Sequence, residues 1–168
     1  PLGIASGSGH TEIVSKLITA NADVDRADNG GFTPLFVASQ EGHAEVVTTL
    51  LAAHATVYQT MNDGATPLLI ASCNGHTEVV AKLLAVNYQG VDHADDRGAT
   101  PMWVACCNDH LGCVRLLSFE ILFHRFIVHF NRNFNHLGSL LLSKFEQIGS
   151  NVLACPTCTK ILSGPSPF

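Results

Sequence analysis

Basic residues are scarce in this chain: nine lysines and arginines stand against fourteen aspartates and glutamates, for a formal net charge of −5 over 168 residues. A nucleic-acid binder is expected to carry a basic face, so no nucleic-acid partner is expected. Long uncharged apolar runs are missing too. The strongest stretch, Leu116 to Phe130, is too short to cross a bilayer and is broken by Glu120, His124, Arg125 and His129, so no membrane span is expected. The opening PLGIASGSG has no initiator Met, basic n-region or apolar h-region, so no secretory signal is expected. GxGxxG, GxxxxGK[ST], GxSxG and HExxH are all absent, and with them the commonest nucleotide, hydrolase and zinc-protease signatures.

What is present is distributed unevenly. Apolar residues make up 46% of the chain, enough for a sizeable core. Residues 1–118 carry 5 basic and 12 acidic side chains (5 − 12 = −7), while residues 119–168 carry 4 and 2 (4 − 2 = +2). Of the nine phenylalanines only Phe32 and Phe36 precede residue 118, so the two parts have different origins in composition.

The first part is periodic. Pro1, Pro34, Pro67 and Pro101 are 33, 33 and 34 residues apart, and His10, His43, His76 and His110 each follow nine residues after a proline. A fixed period of this size means stacked supersecondary units. Thr33, Thr66 and Thr100 are suited to cap a helix, with proline at its first position where the missing N–H costs nothing. LFVAS, LLIAS and MWVAC continue these short helices, and Gly42 or Gly75 offers the left-handed turn that ends one. A second helix follows in EIVSKLI, EVVTTLL, EVVAKLL and GCVRLL; Ile13, Val14, Leu17 and Ile18 define its core face, with Ser15 and Lys16 pointing away. Between units, DNGGFTP, MNDGATP and DDRGATP combine Gly with Asn or Asp, as tight hairpins require. The extra residue of the last period is expected in the loop from Asn87 to Gly98, where insertion is cheapest.

TPLF, TPLL and TPMW, each followed by a histidine turn and then EVV and LL or their variants, resemble the ankyrin repeat signature TPLH, GH, EIV, LLL. The resemblance implies an all-α fold, a solenoid of stacked helix-turn-helix units with short β-hairpin loops. It covers a partial repeat at 1–28, full repeats at 29–61 and 62–95, and a divergent one at 96–118. The chain departs from the signature at its histidine, replaced by Gly3, Phe36, Leu69 and Trp103, where packing is expected to substitute. In the fourth unit Asp109 stands for the turn glycine and Gly112 for the glutamate, so that unit is expected to be the least stable.

The resemblance also implies a non-catalytic, intracellular module that needs no cofactor or metal and binds another protein through its concave surface. The family's variable positions fall on Asn29, Gly30, Phe32, Gln40 and Glu41, then Asn62, Asp63, Ala65, Cys73 and Asn74, then Asp96, Arg97, Ala99, Cys107 and Asn108. These small, polar, mildly acidic residues suit a polar protein surface, and their truncation is expected to leave the fold nearly untouched. Lys16, Thr49, Lys82 and Arg115 are expected on the opposite, outward side.

The remaining features carry bland readings. The turn histidines recur with the repeat, so each imidazole is expected to bond backbone groups rather than a metal. Cys106 and Cys113 fall at core positions, and Cys73 and Cys107 on stacked helices are expected about 8–10 Å apart, beyond disulfide reach. A reducing compartment follows. Cys155 and Cys158, in CPTC, resemble the start of a RING zinc module of the kind sometimes joined to ankyrin stacks, but no second ligand pair of good spacing follows. A truncated piece of an ankyrin–RING ubiquitin ligase is therefore the alternative to a plain binding module. Residues 119–168, helical or disordered, read as an unusual cap over the exposed face of the fourth repeat, a stump of another domain, or a gene-model artefact of no function, the last two being indistinguishable from sequence.

Overall fold

The computed structural model describes residues 1–86, 90–119 and 121. The chain divides into two compact units, Pro1–Glu120 and Ile121–Phe168. In the first, eight helical segments alternate between two layers. They are α1 (Leu2–Gly7), α2 (Thr11–Thr19), α3 (Pro34–Glu41), α4 (Ala44–Ala52), α5 (Pro67–Cys73), α6 (Thr77–Val86), α7 (Pro101–Cys107) and α8 (111–119). Each odd helix packs on the next odd helix, α1 on α3 on α5 on α7, while α2, α4 and α6 stack behind them. The second layer and the inward sides of the first enclose the core.

The odd helices start where the threonine hydroxyls place them. Thr33 Oγ1 accepts the Phe36 N–H at 3.1 Å, Thr66 the Leu69 N–H at 3.1 Å, and Thr100 the Trp103 N–H at 3.3 Å, with proline at the first helical position each time. They stop at left-handed residues: Gly42 has φ 77°, Gly75 φ 76°, and Asp109 keeps the same turn at φ 59°. Aspartate visits this region more readily than most side chains, which is why the fourth turn survives the loss of its glycine.

Burial follows the period except at the two ends of the stack. Val14, Val46, Val47, Leu50, Val79, Val80, Leu83, Cys113 and Leu117 are all at most 1% exposed. Ile13, expected in the core with them, is 49% exposed, whereas its counterparts Val46, Val79 and Cys113 are covered by the preceding repeat. Leu17 is half-buried where its counterpart Leu50 is fully buried, whereas Ile18 and its counterpart Leu51 are both half-buried. Phe36 and Leu69 do fill the signature-histidine position, buried in a cluster with Ala65 and Val104, but Trp103 is 56% exposed and fills nothing.

The interrepeat loops are turns, and no strand occurs among the described residues. Each is closed by a pair of backbone bonds: Asp28 N–H to Phe32 O and Gly31 N–H to Asp28 O, both at 3.1 Å; Met61 N–H to Ala65 O at 2.9 Å and Gly64 N–H to Met61 O at 3.1 Å; Asp95 N–H to Ala99 O at 3.0 Å and Gly98 N–H to Asp95 O at 2.9 Å. Gly112 has a packing reason invisible in its helix: a Cβ there would lie 2.5 Å from Thr77 Oγ1, so glycine lets the last two second helices approach. Part of the loop expected to hold the extra residue, positions 87–89, lies outside the described residues, as do Cys155, Cys158 and nearly all of the tail.

Candidate functional site

The loop tips are shaped by aspartates. Asp28 Oδ1 accepts N–H groups from Gly30 at 2.9 Å and Phe32 at 3.0 Å. In the next loop Met61 stands in that register, and Asp63 Oδ1 accepts from Ala65 N–H at 3.1 Å instead. Asp95 restores the first pattern, accepting from Ala99 N–H at 2.8 Å and Arg97 N–H at 3.0 Å. Its other oxygen meets the Arg97 guanidinium at 3.3 Å from both Nε and Nη2. The Ala99 hydrogen bond, helped by those from Arg97, holds the Asp95 carboxyl below its ordinary range against the opposing pull of desolvation. Asp28 and Asp95 were absent from the sequence-derived set, yet an aspartate five residues before TP is a legible sign of this turn.

The tips are joined to one another. Asn62 Nδ2 reaches Asn29 O at 3.4 Å, and the Asp96 N–H donates to Asp63 O at 3.0 Å. Asn29, Asn62, Asp63, Asp96 and Arg97 therefore lie along successive linked tips, and all five are exposed. Glu41 is exposed as well, its Oε1 taking a bond from Gln40 Nε2 at 2.9 Å.

Other members of the set are structural in this geometry. Asn74 Nδ2 donates to Gln40 O and Asn108 Nδ2 to Cys73 O, both at 2.9 Å. The same two carbonyls accept from His76 Nε2 and His110 Nε2, again at 2.9 Å, while His43 Nε2 meets Gly7 O at 3.0 Å. A carbonyl can only accept, so each imidazole carries its proton on Nε2. The expected backbone bond of the turn histidines exists, but it crosses to the preceding repeat instead of closing the residue's own turn. Ala65 is buried; Gly30, Phe32, Gln40, Cys73 and Ala99 are half-buried; Cys107 and Asn108 are exposed. Phe32 packs edge-on against Phe36, ring centroids 5.5 Å apart at 82°, so its truncation would disturb the fold, contrary to expectation.

On the opposite side Lys16 pairs with Glu12 at 2.8 Å, an exposed pair, and Lys82, half-buried, with exposed Glu78 at 3.5 Å; each pair spans one helical turn and contributes little. Among the described residues no group of three or more His, Cys, Asp or Glu side chains could hold a metal ion, and no helix is long and apolar enough to cross a membrane.

Capped helix pairs, left-handed turns, imidazoles bridging neighbours and a column of tight tips define an all-α repeat stack. A family model of ankyrin repeats, three copies long, matches residues 1–61 and again 54–122. The chain belongs to the ankyrin repeat family, whose members generally mediate protein–protein interaction. No curated protein matches it.

Proposed function

We propose that this chain is a non-catalytic, intracellular binding module that grips another protein along its loop tips and the adjoining first helices. The observation that carries the reading is the linked column of tips. A rigid strip of exposed polar groups presents its hydrogen-bonding surface with little ordering left to do, which is the condition under which a modest surface binds well. Its charge gives the partner a character: Asp28, Glu41, Asp63 and Asp96 are exposed, while Arg97 is already matched by Asp95. A protein surface with basic and hydrogen-bond-donating groups complements it.

Capture with the wild-type chain, followed by calorimetry on the captured protein, supplies the test. Asn29→Ala, Glu41→Ala and Asp96→Ala together are expected to weaken binding at least tenfold, or about 1.4 kcal/mol, with unchanged thermal unfolding. Lys16→Ala, Thr49→Ala and Arg115→Ala together are expected to change it by less than about twofold, or roughly 0.4 kcal/mol. The reverse order of effects would place the binding surface on the helix backs.

A further inference from the structure

Two asparagines are followed directly by glycine, Asn29 and Asn74. The pairing is reactive by its covalent chemistry: glycine has no Cβ to shield its backbone nitrogen, and that nitrogen can reach the side-chain carbonyl carbon of the residue before it. Both asparagines are exposed, so neither sequence nor accessibility separates them. Their hydrogen bonds do.

Asn74 is held at each group that ring closure has to move. Its Nδ2 donates to Gln40 O at 2.9 Å, its N–H to Ile70 O at 3.0 Å, and the Gly75 N–H to Ser72 O at 3.4 Å. Gly75 is left-handed at φ 76° and lies against the His110 ring, which a Cβ there would meet at 2.5 Å. Turning the Gly75 nitrogen toward Asn74 Cγ breaks these bonds and displaces the backbone from that ring.

Asn29 sits on the first loop tip. The bond it takes is at its backbone oxygen, from Asn62 Nδ2 at 3.4 Å, so its carboxamide is unbonded among the described residues. Gly30 is outside the left-handed region and gives its N–H to Asp28 Oδ1 at 2.9 Å. The same oxygen takes the Phe32 N–H at 3.0 Å. An anion beside a nitrogen opposes the loss of its proton, so this one contact governs how readily the Gly30 nitrogen becomes a nucleophile.

We infer that Asn29 is a self-modifying site, converting to aspartate or isoaspartate at a rate restrained by Asp28, while the stacked structure preserves Asn74. The Gly30 nitrogen, having given its proton to hydroxide, attacks Asn29 Cγ. The N–Cγ bond forms, the Cγ–Nδ2 bond breaks, and Nδ2 leaves as ammonia with a proton from water. Water then adds to either carbonyl of the five-membered imide and opens it, giving aspartate or the isomer whose main chain runs through Cβ and Cγ. Either product places a carboxylate next to Asp28. The isomer also inserts an extra backbone atom into the turn that Asp28 N–H to Phe32 O and Gly31 N–H to Asp28 O close at 3.1 Å, and so opens that turn.

The test incubates the full chain in mildly alkaline buffer made with heavy-oxygen water, once folded and once in guanidinium chloride. Both peptides are followed by mass spectrometry with fragmentation that separates aspartate from its isomer. In the folded chain Asn29 is expected to convert at least about tenfold faster than Asn74, because closure at Asn74 breaks several hydrogen bonds, each able to contribute up to that factor. Each conversion is expected to take up a heavy oxygen, and in guanidinium the two sites are expected to convert at similar rates. Asp28→Ala is expected to speed Asn29 and leave Asn74 unchanged. Amide exchange at Gly31 and Phe32 is expected to quicken in the converted chain, with α4 and α6 unaffected. Equal rates at the two sites in the folded chain, or an Asn29 that persists while the unfolded chain converts, would overturn the site. Slower conversion in Asp28→Ala would overturn the restraint assigned to the carboxylate.

Discussion

At the residue scale, the side chains that hold this molecule are of two kinds. Leu50 and Leu83 are fully buried on the inward side of their helices. Replacing either by alanine should cost about 2–5 kcal/mol, the usual range for a leucine removed from a packed core. Urea denaturation reads this directly, and a loss below about 0.5 kcal/mol for both would mean that the helix faces are misassigned. Asp95 is of the second kind, a carboxylate held as an anion by N–H donors. Because its pKa is lowered from 3.8 in the folded state, it contributes to stability above that ordinary value and loses the contribution as pH falls through the lowered one. The stability difference between wild type and Asp95→Asn should accordingly shrink as denaturation is repeated from neutral pH toward strong acid; a difference that grew on acidification would contradict the assignment.

The threonine caps, the turn glycines and the buried valines were legible in the sequence because each depends on neighbours within about one helical turn. Ile13 was not. It has the same local pattern as Val46, and only the presence or absence of a stacked neighbour separates 49% exposure from 1%. The destinations of His76, His110, Asn74 and Asn108 were hidden for the same reason, being backbone carbonyls 34–37 residues away. The charged and polar tip residues could be read as exposed, while Phe32 and Ala65 could not be known to pack until the loops were seen folded onto the odd helices.

At the element scale, α3, α5 and α7 are only two turns long, too short to be stable alone, so their ends matter more than their propensities. Thr66 illustrates this: its Oγ1 satisfies an N–H that is otherwise orphaned inside the stack, and the residue is 3% exposed. Thr66→Ala should cost about 0.5–2 kcal/mol, whereas Thr66→Ser should recover most of it because serine caps equally well. Failure of serine to recover stability would show that the methyl group, rather than the hydroxyl, supports α5. The fourth repeat retains capped α7 and left-handed Asp109, and Gly112 gains close approach to Thr77 in exchange for weaker helix propensity.

At the scale of the whole molecule, the account rests on one division of labour. The second helices and buried first-helix side chains make the stack, imidazoles and asparagines register each repeat on the one before, and the linked tips remain outside as the proposed partner surface. Hydrogen–deuterium exchange of the chain with and without a captured partner tests this most directly. Protection is expected at the tips around residues 28–32, 61–65 and 95–99 and at the ends of α3 and α5, with exchange unchanged along the backs of α2, α4 and α6. Protection confined to those second helices, with the tips exchanging as freely as in the unbound chain, would contradict it.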